Sequence, residues 1–224
     1  MITLKNIIKK YDNDVILNIN ELVIKNNERV GIMGVNGSGK TTLVEIIMGT
    51  RKPDQGQLIF DEDIKDKNAV FQECNFELDL NLNTIANFYR KLFKSNENLD
   101  RLYEKFELID FKKKKYNKLS GGQKQKFKLL IAFINNPKLL LLDELTTALD
   151  YEWRTKIIQE VAEYSNLRNP IILFVSHDIS EISKICNRVI FLKKGLIIND
   201  IELTENYSTN LSLLEKELKN VTNN

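Results

Sequence analysis

Cysteine and histidine are scarce in this 224-residue sequence, which contains two cysteines and one histidine. Cys74 and Cys186 lie in unrelated contexts and do not have the spacing of metal ligands. Two such cysteines argue against a disulfide framework and suit a reducing cytosol. The single histidine, His177, directly follows the apolar run 171–175. Taken alone, this position indicates a helix cap or a core histidine, and the rest of the sequence must decide between that and a functional role.

Long hydrophobic runs are also missing. No apolar stretch approaches the roughly 20 residues needed to cross a bilayer, and the first 14 residues lack the apolar centre of a secretion signal. The sequence therefore predicts a chain that does not cross a membrane by itself, although it could dock on a protein that does.

The charge balance has no strong excess of either sign, with 33 Lys and Arg residues against 31 Asp and Glu. Because nucleic-acid-binding proteins usually carry a larger and more clustered basic excess, we expect no nucleic-acid partner. The one dense basic run, Lys112 to Lys115, is interpreted as a solvated helix end.

The hydrophobic pattern predicts an α/β core. Residues 1–11 and 15–24 alternate between apolar and polar, as half-buried antiparallel strands do. Unbroken apolar runs at 139–142 and 171–175, separated by a helical stretch, indicate a parallel sheet covered on both faces. Further strands are predicted at 28–34, 57–60 and 69–71, and a closing hairpin at 188–201.

The middle of the chain has helical periodicity instead. Helices are predicted to start at Asn83 or Thr84, to span Leu99 to Ile109, and to run from about Gln123 to Asn135. The expected organisation is a core formed by residues 1–77 and 137–204, an inserted helical subdomain at 78–136, and a C-terminal helix or tail at 205–224.

A glycine-rich segment, GVNGSGKT, matches the pattern G-x-x-x-x-G-K-[ST] and stands between a predicted strand and a predicted helix. Its backbone N–H groups and the helix N-terminus are suited to a triphosphate. Lys40 would reach the β- and γ-phosphates, and the Thr41 hydroxyl would bind Mg²⁺. The residues expected to bind the nucleotide here are Gly34, Asn36, Gly37, Ser38, Gly39, Lys40, Thr41 and Thr42.

Two carboxylates, Asp143 and Glu144, end the apolar run LLLLDE. Charge at the end of a buried strand is costly unless a cation or a polarised water receives it. Asp143 is therefore expected to hold the Mg²⁺ shell, and Glu144 to orient or deprotonate an attacking water. Together with the glycine-rich segment, this pair indicates a P-loop NTPase with a RecA-like core.

The segment KLSGGQKQK then narrows the assignment, because LSGGQ stands intact at Leu119–Gln123. Here the sequence resembles the ATP-binding cassette (ABC) family. Ser120, Gly121 and Gly122 at a helix start form a second anion-binding site. The resemblance implies that these residues and Gln123 contact ATP held by a partner subunit in a head-to-tail dimer.

The resemblance covers residues 1 to about 202, and four more positions match the family's motifs in the family's order. The resemblance implies that Tyr11 stacks on adenine and that Gln72 touches Mg²⁺ and the coupling region. It also implies that Asp150 crosses the dimer interface and that His177 contacts the γ-phosphate and helps to hold the attacking water. No catalytic position is degenerate, so we expect a hydrolysing subunit.

There are two departures from the family pattern. Leu145 stands where a proline commonly follows the acidic pair, and FKKKKYNK precedes the signature in place of a TEVGE-like segment. The second departure weakens the likeness to peptide exporters with fused membrane domains.

The resemblance implies a stand-alone ATPase subunit, cytoplasmic and peripheral on the inner face of the cell membrane. It would act as a homodimer or heterodimer on a separate membrane permease. Residues 71–93 and the short tail favour an exporter of drugs, lipids or peptides. An importer subunit and a soluble ABC ATPase of translation or DNA repair are the alternatives.

Overall fold

Two β-sheets organise the chain. The computed structural model describes residues 1–61, 64, 66–70, 76, 79–144 and 149–223. The first sheet is antiparallel, in the order β2-β1-β4, and contains β1 (Ile2–Tyr11), β2 (Asp14–Ile24) and β4 (Gln55–Phe60). The alternation of β1 and β2 buries one face, which confirms the predicted half-buried pair.

The second sheet has the order β5-β6-β7-β3-β8-β9, and its first five strands are parallel. They are β3 (Arg29–Met33), β5 (Lys67–Val70), β6 (Leu139–Asp143), β7 (Ile171–Val175) and β8 (Arg188–Lys193), with β9 (Leu196–Glu202) pairing antiparallel to β8. The register places Val175 beside both Ile32 and Asp143. The ends of β3, β6 and β7, where the motifs begin, therefore meet at one edge.

Seven α-helices lie in the described ranges. They are α1 (Lys40–Met48), α2 (Leu82–Leu92), α3 (Leu99–Lys105), α4 (Gly121–Phe133), α5 (Tyr151–Arg168), α6 (Ile179–Ile185) and α7 (Tyr207–Asn223). Helices α2 to α4, here called the inserted helices, follow β5 and precede β6 in the chain. The predicted α/β fold class with an antiparallel sheet and inserted helices is confirmed.

Two helix predictions need correction, and one helix was missed. Helix α2 begins earlier than Asn83, because the Asn81 side chain caps it by accepting from the Thr84 N–H at 2.8 Å. Helix α3 does not reach Ile109, because the chain turns at Glu107, whose φ is 53°. Helix α6 was not predicted, since a seven-residue helix is too short for its periodicity to be recognised.

Hydrophobic side chains form two buried clusters. One lies between the antiparallel sheet, α1 and the parallel sheet, and includes Leu4, Leu43 and Leu173. The other packs the inserted helices, α5 and α6 together and includes Phe106, Phe127 and Trp153. Among the described residues, no helix is both long and apolar enough to cross a membrane.

Glu107 connects the inserted helices to α5. Its carboxylate accepts hydrogen bonds from Lys126 Nζ at 2.9 Å, from Lys156 Nζ at 2.8 Å and from Trp153 Nε1 at 2.7 Å. Burial alone would raise the pKa of Glu107, but the hydrogen bonds from Lys156, Lys126 and Trp153 lower it to about 2. The ionised carboxylate is therefore the form that joins the two parts.

Glu107→Gln is expected to destabilise the protein near neutral pH and to have less effect in acid. Because the folded-state pKa lies below the ordinary value of 4.5, the stabilisation is fully present above pH 4.5 and is lost as pH falls through about 2. Urea unfolding of both proteins at pH 7, 5 and 3 measures this. Glu163→Gln, the same change at an exposed position, is the control. Equal unfolding free energies at pH 7 would contradict the assignment.

Candidate functional site

A cavity of about 620 Å³ opens where β3, β6 and β7 end. This volume is in the range of small-molecule sites. Most of the described residues that line it were predicted from the motifs: Tyr11, Asn36, Gly37, Gly39, Lys40, Thr41, Thr42, Asp143, Glu144 and His177. Ile16 and Val175 also line the cavity and were missed. Val175 ends the apolar run that leads to His177, and this position could have indicated that it lines the cavity. Ile16 belongs to no motif.

The loop between β3 and α1 needs glycine at its last position. Gly39 has a φ of 103°, and a Cβ there would lie 2.9 Å from the Ile16 carbonyl oxygen and 2.8 Å from Leu17 Cδ2. The chain can turn into α1 this tightly only without a side chain, so the first N–H groups of α1 stay open to the cavity. Gly34 and Ser38, also predicted site residues, belong to the same loop but are not among the lining residues.

The β8–β9 turn is hydrogen-bonded to this loop. The Gly195 N–H donates to the Ser38 carbonyl at 3.0 Å, and the Gly195 carbonyl accepts from the Asn18 N–H at 2.9 Å. Gly195 has a φ of 77°, and a Cβ there would lie 2.3 Å from the Ile16 carbonyl oxygen. One buried glycine thus holds the glycine-rich loop against β2.

The Lys40 ammonium lies within the loop itself. It donates to the Gly34 carbonyl at 2.9 Å and to the Val35 carbonyl at 3.2 Å, and Lys40 is 8% exposed. Burial lowers the pKa of Lys40, and the nearby Glu144 and Asp143 carboxylates oppose that shift. Lys40 is also the first residue of α1, so a buried cation and a helix N-terminus together give the cavity the charge that an anionic ligand requires.

Glu144 and His177 lie next to each other at the carboxyl ends of β6 and β7. His177 Nε2 lies 3.2 Å from Glu144 Oε1. The Glu144 N–H donates to the Val175 carbonyl at 3.0 Å, and the φ of Glu144 is 46°, a conformation rare for a residue with a side chain. Side chains distant in the sequence are brought within hydrogen-bond distance because β6 and β7 are neighbours.

A local hydrogen-bond network holds the loop that carries His177. The Ser176 hydroxyl donates to Glu181 Oε2 at 2.9 Å and accepts from the Asp178 N–H at 3.0 Å. Asp178 caps α6 by accepting from the Ser180 N–H at 2.8 Å. The helix cap that the sequence allowed at His177 is therefore Asp178, and the histidine side chain is left to face the cavity.

Magnesium is compatible with the residues predicted to hold it. A threonine hydroxyl and a carboxylate, Thr41 and Asp143, line the same cavity, and oxygen ligands are those that Mg²⁺ prefers. Asp143 is 5% exposed, so its charge would be stabilised by a cation. Gln72, the third predicted ligand, lies outside the described residues.

The LSGGQ segment lies at the start of α4. The Ser120 hydroxyl accepts from the Gln123 N–H at 3.2 Å, and Gln123 Oε1 accepts from the Ser120 N–H at 3.1 Å, a capping box. None of the described cavity-lining residues comes from Ser120, Gly121, Gly122 or Gln123. Ser120 and Gly121 are exposed. Within the part of the chain that the structure describes, the two helix starts predicted to bind anions therefore do not line one cavity.

Asp150 is likewise absent from the lining and caps α5, its side chain accepting from the Trp153 N–H at 2.9 Å. Ala148 and Leu145 lie outside the described ranges, whereas Leu149, directly before Asp150, is buried. Asp150 is exposed, as is Tyr151 beside it.

Comparison with known proteins identifies the family. The model of the family described as ABC transporter matches residues 17–147. The chain belongs to the ABC transporter family. As a member it is an ABC ATPase, and its fold is that of ABC ATP-binding domains.

Relatives and solved structures agree with this assignment. The chain is 32% identical to the zinc import ATP-binding protein ZnuC of Rickettsia conorii, over 96% of this chain and 94% of the relative. It is 33% identical to the spermidine/putrescine import ATP-binding protein PotA of Haemophilus influenzae, over 89% of this chain but only 57% of the relative. The dimeric, ADP- and Pi-bound structure of the ATP-binding cassette MJ0796 is 30% identical, with a TM-score of 0.81, covering 91% of this chain and 99% of that one.

Proposed function

We propose that this ABC ATPase hydrolyses MgATP as one of two paired subunits and thereby drives a membrane permease. The observation that supports this most strongly is that the buried Lys40 and the Glu144–His177 pair line the same cavity. These are the groups that phosphoryl transfer to water requires: a cation for the phosphates and a positioned base.

In the proposed reaction, the triphosphate lies on the N–H groups at the start of α1, and Lys40 exchanges its loop carbonyls for the β- and γ-phosphate oxygens. Glu144 accepts a proton from water as the water oxygen bonds to the γ-phosphorus. The bond from that phosphorus to the β–γ bridging oxygen breaks, releasing ADP and phosphate. His177, adjacent to Glu144, orients the water and contacts the γ-phosphate. Magnesium, held by Thr41 and Asp143, would neutralise charge on the phosphates.

Pairing of two subunits follows from what one chain lacks. The exposed start of α4 lies outside the cavity, so a second subunit would supply Ser120, Gly121, Gly122 and Gln123 across the ATP. The dimeric cassette MJ0796 supports this arrangement. The second subunit is a copy of this chain or a similar ATPase, and Asp150 would lie at the interface between them.

The partner that uses this cycle would be an integral-membrane permease, with the ATPase bound at the inner face of the cell membrane. The proposed helical subdomain, residues 78–136, would contact it. The relatives ZnuC and PotA are both import proteins, which favours import over the export predicted from the sequence. We therefore propose an importer subunit, with a cargo that the permease selects.

Turnover measured as a function of protein concentration tests the paired site. If two chains form each site, the specific ATPase activity rises with concentration until the dimer saturates. Specific activity that is constant over a hundredfold dilution would contradict pairing.

Stimulation tests the coupling. ATP turnover is expected to rise when the ATPase is co-purified with its membrane permease. For an importer it is expected to rise again on addition of a cargo-loaded binding protein. Stimulation by DNA or ribosomes instead would contradict the transport function.

A further inference from the structure

Tyr11, at the end of β1, lines the cavity and is 40% exposed. A cation lies over its ring: Arg51 Cζ is 5.1 Å from the ring centroid. Lys9 Nζ is farther, at 5.7 Å, and is paired with Asp54 at 2.8 Å. Contacts within about 6 Å of the centroid are attractive, and arginine makes them more often than lysine.

Arg51 is itself fixed to the phosphate-binding helix. Its Nε lies 2.5 Å from Glu45 Oε2, and Glu45 belongs to α1. The backbone N–H groups of Thr50 and Arg51 donate to the Glu45 carbonyl at 3.0 and 3.2 Å. The guanidinium thus has a position set by the helix that begins at Lys40.

The same loop is tied to β1 on its other side. The Asp54 N–H donates to the Ile8 carbonyl at 2.8 Å, and the Asp54 carboxylate accepts from the Lys10 N–H at 2.6 Å. Arg51 is therefore held between α1, which would carry the phosphates, and β1, which carries the tyrosine.

We propose that Arg51 is a positioning residue for the nucleotide base, acting through Tyr11. This inference rests on the proposed ATP binding and on Tyr11 as the stacking ring. With the ring held in place before the nucleotide arrives, less side-chain entropy is lost on binding, so affinity for the base-containing ligand rises. The phosphate contacts themselves do not involve Arg51.

Two probes separate this role from a structural one: the non-hydrolysable analogue AMP-PNP and inorganic tripolyphosphate, each with Mg²⁺, titrated by calorimetry. Arg51→Ala is expected to raise the dissociation constant for AMP-PNP about two- to fivefold and to leave that for tripolyphosphate unchanged. In a Tyr11→Ala background, Arg51→Ala is expected to have no further effect. Arg51→Lys should restore part of the affinity.

Lys52→Ala is the matched control, since it removes the same charge from an exposed position in the same loop. It is expected to bind both probes as the wild type does. The inference is overturned if Arg51→Ala weakens both probes equally, weakens neither, or acts additively with Tyr11→Ala. Failure of the wild type to bind AMP-PNP would instead overturn the proposed function, and this inference with it.

Discussion

Glu144→Gln is expected to lower ATP turnover by about 10²- to 10⁴-fold while MgATP binding is retained. The amide keeps the shape of the side chain but cannot accept the proton of the attacking water. The carboxylate is the group that lies 3.2 Å from His177 at the cavity. Single-turnover hydrolysis and nucleotide titration, made on the same preparation, measure the two effects separately.

The same variant should also show the paired state. Because ATP is bound but not consumed, the dimer is expected to accumulate and to elute earlier in gel filtration with MgATP than with MgADP. Glu163→Gln, an identical change at an exposed position, should behave as the wild type. Turnover of Glu144→Gln within threefold of the wild type would show that another group is the base.

Lys40→Ala is expected to weaken MgATP binding on the order of 100-fold, since it removes a charged hydrogen-bond donor worth roughly 1.5–3 kcal/mol to each partner. Lys40 is 8% exposed and contacts only loop carbonyls among the hydrogen bonds described for it, so its ammonium is available for phosphate oxygens. Isothermal titration with MgATP measures the loss.

Folding of this variant must be checked separately. The ligand-free melting temperature of each protein is measured first and serves as the reference for the effect of MgATP. Addition of MgATP should raise the melting temperature of the wild type and of the control Lys25→Ala, but not of Lys40→Ala. An equal rise in all three would contradict the role of Lys40.

The predicted residues that lie at the ends of buried strands are placed by the structure around one cavity. The glycine-rich segment follows β3, Asp143 ends β6 and His177 follows β7, and parallel strands bring such ends together whatever the distance between them in sequence. Strand pairing explains why His177 lies beside Glu144, whereas the role predicted for His177 came only from the resemblance to the ABC family.

Short helices, and contacts between parts of the chain that are distant in sequence, could not be predicted in this way. Helix α6 is too short to show a periodicity, and the contact of Arg51 with Tyr11 depends on how the loop after α1 folds onto β1. The direction of transport was predicted as export, which the named relatives do not favour. Motifs that bind and cleave ATP do not encode which way a permease moves its cargo.

Gly195 has a practical consequence for anyone who wishes to label this protein. Hairpin turns are ordinarily good places to insert an epitope or a fluorophore tag. Here the turn between β8 and β9 is a structural support of the glycine-rich loop between β3 and α1, through the Gly195 N–H and the Ser38 carbonyl. We expect a tag inserted there to abolish ATPase activity, although Gly195 does not line the cavity. The loss would be mistaken for damage to the catalytic residues.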